Sequence, residues 1–139
     1  MLGMSGYLSL RRPGPAVLRL AVLAFALLAG CTQARVDERQ AMAITHGGRA
    51  ELGPRWAEQY GCGGCHVIPG VPGARGRVGP PLGNVAVRMF VAGGENKPEN
   101  LIAWIQDPQR VDSATAMPRT GVTERQARDI AAYLYTLAH

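Results

Sequence analysis

The chain has 139 residues, which leaves room for one domain once any leader is set aside. Of its 15 Lys and Arg, Arg11, Arg12 and Arg19 fall in the first thirty residues, so the rest of the chain carries twelve cations against ten anions and is close to neutral. With aromatics at 6% and no arginine cluster interleaved with them, the high charge of the full chain is no sign of a nucleic-acid surface.

The three arginines precede an uncharged apolar run, Leu20–Ala29, and then the small residues Gly30 and Cys31. Charged, then apolar, then small is the order of a secretory signal peptide. The run covers about half of the roughly 20 residues a membrane-crossing helix needs, which disfavours a permanent anchor. Leu28-Ala29-Gly30-Cys31 resembles the lipobox of bacterial lipoproteins. That resemblance implies lipidation of Cys31 and attachment to the periplasmic side of a bacterial membrane, each buried methylene adding about 0.8 kcal/mol. The alternative is ordinary cleavage after Gly30, with Cys31 left as a free thiol. The expected organisation is a leader over 1–30, a lipid-anchored tether over 31–52 and a domain over 53–139. The tether reads as polar and partly helical through Val36–Ala43; as flexible coil it would span roughly 25 Å.

Pro54–Tyr60 reads as a first helix, with proline at a first-turn position and Trp56 and Tyr60 on one face. Val67–Gly83 holds four prolines and five glycines, and so predicts an irregular loop that wraps something or serves a function. A second helix is expected over Lys97–Gln106, with Asn96 and Glu99 as a capping box and Pro108 as the stop. Leu101, Ile102 and Ile105 would face inward beside Trp104. The third helix, capped by Thr123 with Gln126 at its third position, runs to about Ala138 and repeats Ala127, Ile130, Ala131, Leu134 and Leu137 at helical spacing. The result is a small all-α domain near the size at which an apolar core alone suffices.

Between the first helix and the loop stands Cys62-Gly63-Gly64-Cys65-His66. Three chemistries use such a pair of cysteines. Tetrahedral zinc needs four ligands, and His66 with His46 or His139 lacks finger-like spacing. A redox dithiol calls for strands alternating with helices, which the chain does not show. Covalent haem needs two thiols for two vinyl groups and an adjacent histidine for the iron, and the motif has these. For the sixth iron position Met117 is the first candidate. It lies fifty-one residues past His66, in a loop between two helices, and a thioether suits electron transfer. Met89 is the second; Met42 and His46 fall in the tether, and His139 ends the chain.

Taken together, Gly61–His66, Gly79-Pro80-Pro81-Leu82, and Met117-Pro118 leading into Asp129–Leu134 resemble a class I monohaem cytochrome c domain from about Gly53 to Leu137. The resemblance implies a fold of three or more helices around one covalent haem c, joined by long Gly/Pro-rich loops. It implies thioethers at Cys62 and Cys65, axial ligation by His66 and Met117, and the Pro80 carbonyl accepting a hydrogen bond from His66. Arg88 and Trp104 stand as candidates for propionate contacts, and Arg75 and Arg77 as loop charges facing solvent, a propionate or an acidic partner. The implied function is single-electron transfer between respiratory complexes, such as a quinol-oxidising complex and a terminal oxidase, and not enzymatic turnover. The alternative is a haem enzyme or gas sensor with an open sixth position.

Overall fold

The computed structural model describes residues 36–137. The leader, Cys31 and His139 lie outside the described residues. Among the described residues, five α-helices, three short 3-10 turns and one small hairpin follow one another.

Helix α1, Glu38–Ile44, starts where the Asp37 carboxylate accepts from the Gln40 amide at 2.7 Å. Ala41 and Thr45, four residues apart, are both 0% exposed. The Arg128 Nη1 donates to the Thr45 and His46 carbonyls at 3.4 and 3.1 Å, holding the end of α1 against the last helix. From Val36 onward, then, the segment read as tether is part of the folded domain. Its buried stripe is made of small residues, Ala41 and Thr45 with Val36 and Ile44 beside them, so the contact is close but the sequence looks polar.

A 3-10 turn, Ala50–Leu52, leads into α2, Gly53–Gln59, with proline in the first turn as expected. A side chain at Gly53 would place its Cβ 2.2 Å from the Tyr133 Cβ, so the two helices cross at a point only glycine permits. The crossing is pinned by Asp129, a carboxylate only 2% exposed that accepts from the Arg49 amide at 2.8 Å and from Trp56 Nε1 at 3.0 Å. One turn on, the Tyr60 hydroxyl donates to Gln126 at 2.8 Å. The shared face of Trp56 and Tyr60 is therefore the face that grips the last helix.

The segment 67–83 is irregular apart from one bridge, Val67 with Arg75, yet it buries Ile68, Val71 and Ala74. Strands β1, Phe90–Val91, and β2, Gly94–Glu95, pair antiparallel with Phe90 opposite Glu95 and Val91 opposite Gly94.

Helix α3 runs Pro98–Gln106 and buries Leu101, Ile102 and Ile105. Its N-cap is Lys97, with no side-chain bond, and so the Asn96–Glu99 capping box does not form. Asn96 is used otherwise: its amide donates to the Val85 and Arg88 carbonyls at 2.7 and 2.8 Å, and its oxygen accepts from Tyr135 at 2.7 Å. Three tertiary bonds outweigh one cap. Pro108 ends α3 but also begins a further short helix, α4, Pro108–Val111. Helix α5, Glu124–Thr136, has the expected Thr123–Gln126 capping box and buries seven side chains, including Ile130, Ala131 and Leu134.

Candidate functional site

Gly61 turns the chain out of α2 into a 3-10 turn, Cys62–Gly64, which brings both cysteines and His66 to the wall of one cavity of about 360 Å³. Ile68, Leu82, Val85, Leu101, Ile105, Ile130 and Leu134 make most of the lining apolar. Met117 and Trp104 line the same space from the other end of the sequence.

The His66 Nδ1 stands 2.8 Å from the Pro80 carbonyl. A carbonyl only accepts, so Nδ1 carries a proton, and in a neutral imidazole that leaves the lone pair on Nε2. This is the tautomer that ligates a metal, with its ring oriented by the outer bond. Gly79 makes that approach possible, because a Cβ there would lie 2.2 Å from the ring's Cε1. Arg88 supports the same loop from outside. Its Nε and Nη2 donate to Asn84 Oδ1 at 2.9 and 2.7 Å, and Nη2 also donates to the Pro81 carbonyl.

Burial pushes the Cys62 thiol above its ordinary range; a backbone hydrogen bond lowers it in part, and neighbouring Cys65 raises it again. A dithiol oxidoreductase needs a thiolate at neutral pH, and burial opposes one. Among the described residues no group of three or more His, Cys, Asp or Glu side chains is arranged to hold a metal ion by itself. A haem fits what is present: two thiols and an oriented imidazole on one wall, a thioether on the same cavity, and an apolar lining.

The other candidates fall as follows. Met89 is 80% exposed and does not line the cavity. Met42 sits exposed on α1, and His46 faces Glu99 at 3.6 Å. Arg75 and Arg77 are exposed and away from the lining. Arg88 and Trp104 do line it, although Arg88 spends at least two of its nitrogens on Asn84 and Pro81. Sequence reasoning missed the structural role of Asp129. The available signal was an acid on the inward phase of an amphipathic helix.

A family model described as cytochrome c matches residues 50–138. The chain belongs to the cytochrome c family. Membership of the family implies covalently bound haem c and haem-based electron transfer, and the all-α architecture of this member agrees with it. Cytochrome c oxidase subunit 2 of Alkalihalophilus pseudofirmus is 37% identical over 90 residues, which are 63% of this chain and 25% of that protein. The chain thus spans about a quarter of the length of the curated relative it matches. No solved structure matches the chain.

Proposed function

We propose that this cytochrome c is a single-electron carrier with one haem, held by thioethers at Cys62 and Cys65 and ligated by His66 and Met117. The observation that carries the reading is the His66–Pro80 hydrogen bond beside a cavity that Met117 also lines. When bound, the haem supplies an iron that cycles between ferrous and ferric states. The protein's own residues do the rest. Pro80 fixes the imidazole and raises its basicity as a ligand. Met117 supplies a soft thioether that favours the ferrous form and closes the iron to small molecules. The apolar lining keeps water away, while Val78, at the lining and 77% exposed, leaves the mouth open to a partner.

The setting we propose is a bacterial respiratory chain, with electrons passing from a quinol-oxidising complex to a terminal oxidase. The oxidase-subunit relative supports this context. Attachment is through lipid on Cys31, at the periplasmic face. No helix among the described residues is long and apolar enough to cross a membrane. With α1 folded onto the domain, only about five residues separate Cys31 from Val36, a reach of at most about 18 Å. The domain therefore works close to the bilayer instead of roaming from it.

The test is to purify the protein from membranes and determine its haem content after denaturation and pyridine treatment, followed by carbon monoxide titration of the ferrous form. One covalent haem per chain and slow, weak carbon monoxide uptake are expected. Rapid uptake at neutral pH would replace this reading with an open-site enzyme or sensor.

A further inference from the structure

The loop bearing Met117 has no regular structure from Asp112 to Thr123, and Ala116, Pro118 and Arg119 are exposed. Within it, the Met117 amide donates to Thr115 at 3.2 Å. Among the described residues, the hydrogen bonds and ion pairs that tie positions 116–121 to the rest of the chain run to one corner. Gln109 Nε2 donates to the Met117 carbonyl at 2.6 Å, and Arg119 pairs with Asp107. Between those two partners stands Pro108, whose ring is fully buried, so the corner is a fixed point from which Asp107 and Gln109 reach out. The carbonyl that Gln109 holds belongs to the Met117–Pro118 peptide. That unit is planar, and proline restricts the residue before it to extended conformations. Holding its oxygen therefore restrains the Met117 Cα and the direction from which its side chain enters the cavity.

We infer that Gln109 is a positioning residue for the Met117 sulfur, assisted by the Asp107–Arg119 pair, and that the two set how often the sulfur leaves the iron. The inference rests on Met117 being the sixth ligand. Gln109 is exposed, so water competes for its bond and its removal shifts the attached–detached balance by about fivefold, the change one net hydrogen bond makes to an equilibrium constant. The Asp107–Arg119 pair, with Arg119 64% exposed at its side chain, contributes less and is screened by salt.

The test is the rate at which carbon monoxide binds ferrous holoprotein, which is gated by sulfur departure, together with the sulfur-to-iron charge-transfer absorption of the ferric form. Gln109→Ala is expected to speed binding about fivefold and weaken the charge-transfer band, with thermal stability nearly unchanged. Gln109→Lys, which returns an N–H donor, restores both readouts; Gln109→Glu, which cannot donate, does not. Arg119→Gln gives a rise of less than about threefold that disappears at high salt. A wild-type rate in Gln109→Ala, or a faster rate that Lys fails to rescue and that tracks lost stability, overturns the inference alone. Met117→Ala separates the two claims: it should bind carbon monoxide at once, and if it behaves as wild type the ligand assignment falls and takes the inference with it.

Discussion

Between Cys62 and Gly83 the backbone is tied back on itself at several points: the Gly76 amide to the Gly63 carbonyl at 3.0 Å, Gly79 to Cys65 at 2.9 Å, and Leu82 to Val67 at 2.9 Å. The Tyr133 hydroxyl of α5 donates to the Pro69 carbonyl, Arg88 to Pro81, and Ile68, Val71 and Ala74 are buried beneath. Between Asp112 and Thr123 no helix or strand forms, and the ties that leave positions 116–121 run to Gln109 and Asp107. The histidine half of the proposed iron site is thus built into the core of the fold, whereas the methionine half is held at its edge. Residues near His66 should act on folding and on iron ligation together. Those near Met117 should act on ligation alone.

The largest effect is expected from Asp129→Ala, which orphans the Arg49 amide and the Trp56 indole in the α2–α5 crossing that leads into Cys62. The loss should be about 3 kcal/mol, a drop of roughly 12–24 °C in melting temperature. Gly79→Ala comes next. Its methyl group would displace the His66 ring, costing about 2 kcal/mol by overpacking and altering the ferric spectrum, which a merely destabilised fold would not do. Tyr135→Phe removes the donor to Asn96 and should cost about 1 kcal/mol by chemical denaturation.

That tyrosine also has a signature in pH. Burial, with Glu99 adding to it, pushes the Tyr135 hydroxyl up to about 12, against about 10 in an unfolded chain. The folded state therefore favours the neutral form. The contribution is complete below about pH 10 and is lost as pH rises towards 12. Tyr135→Phe should flatten that part of the alkaline stability profile, and an unchanged slope would show that the hydroxyl titrates freely. Gln109→Ala should have the smallest effect on stability, shifting the melting temperature by no more than a few degrees. A larger drop would mean that the methionine half is core after all, and the contrast would collapse.

The same contrast decides what was legible in the sequence. Helix α5 could be read because its apolar period, cap and capping box all agree, and each of those signals is local. The cysteine–histidine motif and the Gly/Pro loop were equally plain, since their spacing is chemistry in itself. Helix α1 was legible as a helical stretch of the tether, but its packing onto the domain was not, because small buried residues leave little apolar signal. Asn96 looked like a cap because its bonds to Val85, Arg88 and Tyr135 join positions far apart in the chain. Pro108 is the stop its sequence announces, but the short helix it also begins was not legible, because nothing local tells a helix end from the start of another turn. The Gln109–Met117 bond joins two exposed loop positions with no pattern, and only the folded chain brings them together.

The central claim is a six-coordinate iron between His66 and Met117, and the most direct measurement is the absorption spectrum of Met117→Ala holoprotein beside that of the unaltered protein, ferric and ferrous. The account predicts that the substitution abolishes the sulfur-to-iron charge-transfer band and converts the low-spin ferrous spectrum to one that carbon monoxide changes at once. Identical spectra from the two proteins would contradict it.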